Sequence, residues 1–188
     1  MFLCFYSLPD LPRFLFFVPV MKMKIPPSIN ALLFDLGGVI MDLDLDRAKK
    51  ELGKLGFRED MFHLQDTGSN KFLDLELGTI SEETFYDWLC QILGRKVNHQ
   101  RLEQAWNKMI LGFRKEKIEL LQKLKKRYPV YLLSNTNSIH VRYCNQLLYR
   151  QYGIASLEEL FTQTFYSNLI NLRKPQPEIG RASCRERV

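Results

Sequence analysis

The apolar run Ala31-Leu32-Leu33-Phe34 ends in Asp35, and Leu36, Gly37 and Gly38 follow it. Apolar residues without alternation read as a strand buried on both faces, as in a parallel sheet. Asp35 then stands at the carboxyl end of that strand, where open α/β sheets place their chemistry. Gly37 and Gly38 let the backbone turn sharply and come close to a ligand. A carboxylate in this position serves as a nucleophile or as a metal ligand. Taken alone, the stretch is equally a buried strand before an ordinary Gly-Gly turn, so the rest of the chain decides.

Helical patterns come next. Asp46 reads as the N-cap of a helix with Ala48, Leu52 and Leu55 on one face, kept short by Gly53 and Gly56. From about Met61 to Leu77 the pattern is mixed, and it closes in a turn at Glu76–Ile80. Ser81 caps a second helix with an acidic first turn; Phe85, Trp88, Leu89 and Ile92 share its inner face, and Gly94 ends it. Leu102, Ala105, Trp106 and Met109 repeat the pattern. Residues 43–111 therefore read as a compact helical insertion, with Phe85, Trp88 and Trp106 as its core rather than a ligand box.

Sheet alternation then resumes. An amphipathic helix over 113–127 carries Ile118, Leu121 and Leu124, its basic end Lys123–Arg127 being the solvated end that suits the helix dipole, and Pro129 stops it. Val130-Tyr131-Leu132-Leu133 is a second buried strand, running into Ser134-Asn135-Thr136-Asn137. Small polar residues there offer a hydroxyl and free N–H groups to an anion. The following helix turns Val141, Cys144 and Leu148 inward, Ser156–Glu159 reads as a capping box, and Thr164–Ser167 reads as a third short strand. Lys174, in a loop pinned by Pro175 and Pro177, is a fixed cation for a phosphate or an ordinary surface lysine.

Composition narrows the class. A chain of 188 residues suits one core domain with a small insertion. Its formal charge of +6 is partly an end effect, because residues 1–22 carry +1 and residues 180–188 carry +2. No Lys/Arg cluster is interleaved with aromatics, so nucleic acid is not an expected partner. Cys4, Cys90, Cys144 and Cys184 have neither metal-ligand nor disulfide-framework spacing, which suits a reduced, cytoplasmic protein. Phe14 to Val20 is far short of a membrane span, and no basic n-region precedes it. Residues 1–22 read as an upstream start ahead of Met21 or Met23, with an anchor or signal as the alternative, and no membrane partner is expected.

The order of these pieces resembles the haloacid dehalogenase (HAD) superfamily over about residues 28–179. Asp35-Leu36-Gly37-Gly38-Val39 is similar to its first motif, Ser134 within Leu132–Asn137 to its second, and Lys174-Pro175 to its third. The resemblance implies an α/β, Rossmann-like parallel core over 23–42 and 112–179, with 43–111 as a helical cap inserted after the first strand. It implies a phosphatase for a small phosphorylated metabolite, in which Asp35 is the nucleophile. Mg²⁺ would be held by Asp35 and the Gly37 carbonyl, Ser134 and the Asn135 N–H would hold phosphoryl oxygens, and Lys174 would offset charge. Gly-Gly in the first motif and Ser-Asn-Thr-Asn in the second are most similar to bacterial sugar-phosphate phosphatases of the α-glucose-1-phosphate phosphatase kind. His140 either faces the substrate or is a polar first-turn residue. Cap residues choose the substrate, with Phe62, His63, Asn70, Trp88 and Trp106 as candidates; the sequence sets no oligomeric state.

The chain departs from the family pattern in several places. Gly37 stands where family phosphatases carry a general-acid aspartate, a loss worth ~10²–10⁴-fold; Asp42, Asp44 or water are the candidate stand-ins. Asn171 stands where a glycine is expected before the Lys-Pro loop. The resemblance implies a fourth, metal-completing motif that is expected to follow this sequence, and residues 180–188 resemble the in-frame translation of a sequencing adapter. The last strands of the core are therefore expected to be missing, leaving Leu32–Phe34 as an exposed edge and the chain as a fragment. The alternative function is a non-catalytic relative that binds a phosphorylated ligand or a partner.

Overall fold

The computed structural model describes residues 14–16, 25–58, 70–176 and 178. In chain order the first half contains β1 (Phe14–Phe16), β2 (Ala31–Phe34), β3 (Met41–Leu43), α1 (Leu45–Lys54), α2 (Lys71–Glu76), α3 (Glu82–Ile92) and α4 (His99–Asn107). The second half contains β4 (Ile110–Phe113), α5 (Lys115–Lys125), β5 (Val130–Ser134), α6 (Ser138–Tyr152), a 3₁₀ turn (Leu157–Leu160), β6 (Gln163–Tyr166) and α7 (Ser167–Ile170). Phe62, His63 and the tail 180–188, for which the sequence raised expectations, lie outside the described residues, as does most of 1–22.

The core is a parallel sheet in the order β1-β2-β5-β6. Every residue of β2 and β5 is buried, which is why neither strand alternates. On one face Leu32, Phe34 and Leu132 pack with Ile118 and Leu121 of α5 and with Cys144 and Leu148 of α6. On the other, Ala31, Leu33, Tyr131, Leu133 and Phe165 pack against Ile170 and Leu172. The expected exposed edge at Leu32–Phe34 is absent: Phe14–Phe16 pairs in parallel with Ala31–Leu33. A bare strand edge is a row of unpaired donors and acceptors, and this short run satisfies them.

The insertion leaves and rejoins the core through an antiparallel hairpin of β3 and β4, in which Leu43 pairs with Ile110 across a bulge. Within the insertion, Leu52, Leu75, Phe85, Leu89, Leu102 and Trp106 form a separate apolar cluster. Phe72 sits edge-on to Phe85, Trp88 and Trp106, with ring centroids 5.2, 5.4 and 5.7 Å away. The aromatics are core, as their spacing indicates. Asp44, rather than Asp46, caps α1: its side chain accepts from the N–H groups of Asp46 and Arg47. Ser81 caps α3 as expected, but Ser156 makes no cap bond to its 3₁₀ turn. The basic end of α5 is not simply solvated, since Leu124 is buried and Lys125 Nζ donates to the carbonyls of Glu159 and Phe161.

Two polar seams join the insertion to the core. On one flank Arg142 of α6 reaches Glu82 at 2.9 Å and Glu103 at 3.1 Å, and Ser138 donates to Glu82. On the other, Arg173 reaches Glu76 at 3.2 Å and Asn171 Nδ2 donates to the Leu77 carbonyl at 2.7 Å. Asn171 takes the left-handed conformation, φ 54°, in which Asn substitutes for the expected glycine. None of the described helices is long and apolar enough to cross a membrane.

Gly78 sits at the second seam with φ +67°, and a Cβ there would lie 2.1 Å from the Asn168 carbonyl oxygen. Gly153, at the end of α6, has φ +69° but open space around it. Gly78→Ala should therefore lower stability by about 3 kcal/mol and Gly153→Ala by about 1 kcal/mol. Urea unfolding of both variants checks this; equal losses would mean that the close approach at Asn168 is not formed.

Candidate active site

The register of the sheet assembles the site. Phe34 pairs with Leu132, so Asp35 comes level with Leu133 and stands next to the turn that begins at Ser134. Ser134 is the last residue of β5 and is buried. Asp35 Oδ1 accepts from the Leu36 N–H at 2.8 Å, and Lys174 Nζ lies 2.7 Å from Oδ2. The same ammonium donates to the Leu133 carbonyl at 3.0 Å, which locks it between the two strands. The carboxylate and the cation remain 40% and 27% exposed, so both can reach a ligand.

Asn135 explains why Lys174 stands there. Its Oδ1 accepts from the Lys174 N–H at 2.8 Å and its Nδ2 donates to the Lys174 carbonyl at 3.0 Å. The amide side chain thus copies a strand partner and clamps the loop. Ser167, fully buried after β6, does the same for Thr136: it accepts from the Thr136 N–H at 2.9 Å and donates to the Thr136 carbonyl at 3.0 Å. Asn137 then caps α6 by accepting from the His140 N–H at 3.0 Å. Sequence reasoning missed Ser167, the side-chain role of Asn135 and the cap at Asn137. The only sequence signal was the run of small polar residues after each strand.

The tip of Leu43, an exposed side chain, lies beside Gly37. A Cβ at Gly37 would meet Leu43 Cδ1 at 2.8 Å, so a larger residue there would have to displace the end of that side chain. Neither carboxylate stand-in is free to donate a proton. Asp42 is gripped by Lys117 Nζ and Arg114 Nε, both at 2.7 Å, and hydrogen bonds from Lys117 and then Arg114 hold its carboxyl below the usual range. A carboxyl with a lowered pKa stays ionised at neutral pH and has no proton to give. Asp44 is occupied as the cap of α1 and pairs with Arg47 at 3.2 Å. Of the sources of the proton expected from the sequence, Asp42, Asp44 or water, the two carboxylates are thus engaged elsewhere. Asp42→Asn should leave kcat within about threefold, whereas loss of a general acid costs ~10²–10⁴-fold. Steady-state turnover decides, and a hundredfold loss would return Asp42 to the mechanism.

His140 sits in the first turn of α6 against Trp106, with ring centroids 4.4 Å apart. The cap bond fixes the Asn137 amide, so its Nδ2 is the donor that faces His140 Nδ1 at 3.4 Å. The imidazole proton is therefore on Nε2, which is buried without a partner among the described residues. Burial pushes the imidazole down to about 4, so the ring is neutral at physiological pH.

The Asp35 carboxylate and the Gly37 carbonyl, the ligands the resemblance implies, are both oxygens and would suit a hard cation. No group of three His, Cys, Asp or Glu that could hold a metal gathers among the described residues. Mg²⁺ typically takes one or two protein oxygens and completes its shell with phosphate and water, whereas structural zinc needs a closed set of nitrogen and sulfur ligands.

No family model matches the chain. It is 34% identical over 160 residues to a curated D-ribitol-5-phosphate phosphatase of Bacteroides thetaiotaomicron, covering 80% of this chain and 73% of that protein. Among solved structures it matches a HAD family enzyme from Bacteroides thetaiotaomicron at TM-score 0.76 and 34% identity, covering 84% of this chain and 78% of the other. The same enzyme in complex with magnesium and inorganic phosphate matches at TM-score 0.75, 34% identity and the same coverage. A HAD-like family hydrolase from Porphyromonas gingivalis matches at TM-score 0.76 and 26% identity, covering 85% of this chain and 76% of the other.

Proposed function

Because the chain belongs to the haloacid dehalogenase superfamily, we propose that it hydrolyses a small sugar or polyol phosphate through Asp35. The observation that carries this reading is the 2.7 Å contact between the Asp35 carboxylate and Lys174, held in place by Asn135. A carboxylate at a strand end with a cation held beside it by a neighbouring loop suits in-line displacement at a phosphate. The relative named for D-ribitol 5-phosphate favours an open-chain polyol phosphate over the α-glucose 1-phosphate suggested by the motifs alone.

In this mechanism an Asp35 oxygen attacks phosphorus and the bond to the leaving alkoxide breaks, giving an aspartyl phosphate and an alcohol. Water then attacks phosphorus, the Asp35–phosphate bond breaks, and inorganic phosphate leaves with the carboxylate regenerated. Ser134 and the Asn135 N–H hold phosphoryl oxygens, and Lys174 offsets their charge. Mg²⁺ bound by Asp35 and the Gly37 carbonyl would neutralise phosphate charge. With Leu43 beside Gly37 and Asp42 committed to Arg114 and Lys117, the proton for the leaving alkoxide comes from water. The helical insertion acts as the cap that covers the site and keeps bulk water from it.

The same Leu43 supports a second reading, in which the chain binds a phosphorylated ligand without turning it over. Asp35→Asn separates the two. For an enzyme, kcat should fall by about 10³-fold or more while inorganic phosphate still binds, and Lys174→Ala should cost ~10²–10³-fold. Phosphate release and calorimetry with Mg²⁺ present are the measurements. Turnover that survives Asp35→Asn would remove the nucleophile assignment, and an unsubstituted chain that binds without releasing phosphate would establish the second reading.

A further inference from the structure

Three contacts seat the end of α2 on the stretch of chain that leads to Lys174. Phe72 and Leu75 anchor α2 in the apolar cluster of the insertion, and Glu76, the last residue of the helix, turns to the core. Glu76 Oε2 lies 3.2 Å from Arg173 Nη2, and the Leu77 carbonyl accepts from Asn171 Nδ2 at 2.7 Å. Gly78 runs close against the Asn168 carbonyl. All three core partners fall within residues 168–173, immediately before Lys174.

Arg173 and Lys174 are neighbours held from opposite sides. The insertion holds the Arg173 guanidinium, whereas Asn135 of the core holds the Lys174 N–H and carbonyl. Between these anchors the loop is tied to itself. The Arg173 N–H donates to Gln176 Oε1 and the Gln176 N–H donates to the Arg173 carbonyl, both at 2.9 Å. A shift at Arg173 is therefore passed to Lys174, whose ammonium stands 2.7 Å from Asp35.

We infer that Glu76 is a positioning residue for Lys174: acting through Arg173, it fixes where the cation stands beside Asp35. The inference rests on the reading that Lys174 offsets phosphoryl charge there. Two adjacent cations are thus divided between two carboxylates, Arg173 with Glu76 and Lys174 with Asp35. The Glu76 and Arg173 side chains are 31% and 34% exposed, and an ion pair so open to solvent contributes little to stability. Its effect lies in placement. Displacing a reacting group by about 1 Å can cost ~10²-fold in rate, so a modest shift of the loop is felt at phosphorus.

The test is a double-mutant cycle between Glu76→Gln and Lys174→Ala, followed as Mg²⁺-dependent phosphate release from ribitol 5-phosphate. Glu76→Gln keeps the side-chain volume and removes the charge. It should lower kcat about tenfold with KM within threefold, and should cost less than twofold in the Lys174→Ala background, where the group it positions is gone. Arg173→Ala should match Glu76→Gln, and Arg173→Lys, which keeps a cation for Glu76, should recover part of the rate. A purely structural role for Glu76 would instead multiply the two losses in the double variant. Multiplied losses, or a kcat unchanged by Glu76→Gln, would overturn the inference. For a chain that binds phosphate without releasing it, the same cycle is followed as inorganic phosphate affinity by calorimetry with Mg²⁺, and the same pattern is expected. Lys174→Ala alone reports on the underlying reading, so its failure stays distinguishable from a failure of Glu76 to act through Lys174.

Discussion

Everything at the site depends on two buried parallel strands lying side by side in one register. With Phe34 opposite Leu132, the carboxylate at the end of β2 and the polar turn at the end of β5 are neighbours, and Lys174 can bind both strand ends at once. A slip of one residue would send Asp35 to the opposite face of the sheet. Burial on both faces is what forbids that slip, because each strand places apolar side chains into two separate cores. The reacting geometry is thus fixed by hydrophobic packing and only finished by polar contacts.

Those contacts are mostly made by side-chain amides and hydroxyls acting on backbone. Asn135 holds Lys174, Ser167 holds Thr136, and Asn137 holds the start of α6. Each satisfies main-chain groups that a loop would otherwise leave to water. The strand ends are thereby held stiff by side chains acting on main chain.

How much of this the sequence disclosed follows from how local each cause is. The buried strands, the Ser81 cap and the aromatic core of the insertion were legible because burial and helix period are written in adjacent residues. Asp35, Ser134, Asn135 and Lys174 were legible as motif positions, and the structure brings them together. The β3–β4 hairpin was not, since three- and four-residue strands carry no period and are defined by each other. The pairing of β1 with β2 was missed for the same reason. Asp44 and Asp46 alternate with leucines, so local pattern could not choose the cap, and the fate of Asp42 depended on Arg114 and Lys117, far along the chain.

The hairpin has a consequence for how such a protein changes over generations. The insertion departs after Leu43 and returns at Ile110, and these two residues are cross-strand partners. Entry and exit are therefore only about 5 Å apart, whatever lies between them. A segment attached through so narrow a neck can lengthen, shorten or be exchanged with little entropic penalty and without moving the sheet. The sheet end that carries Asp35 and Lys174 can stay constant while the inserted segment drifts, so one cassette can be replaced without rebuilding the core.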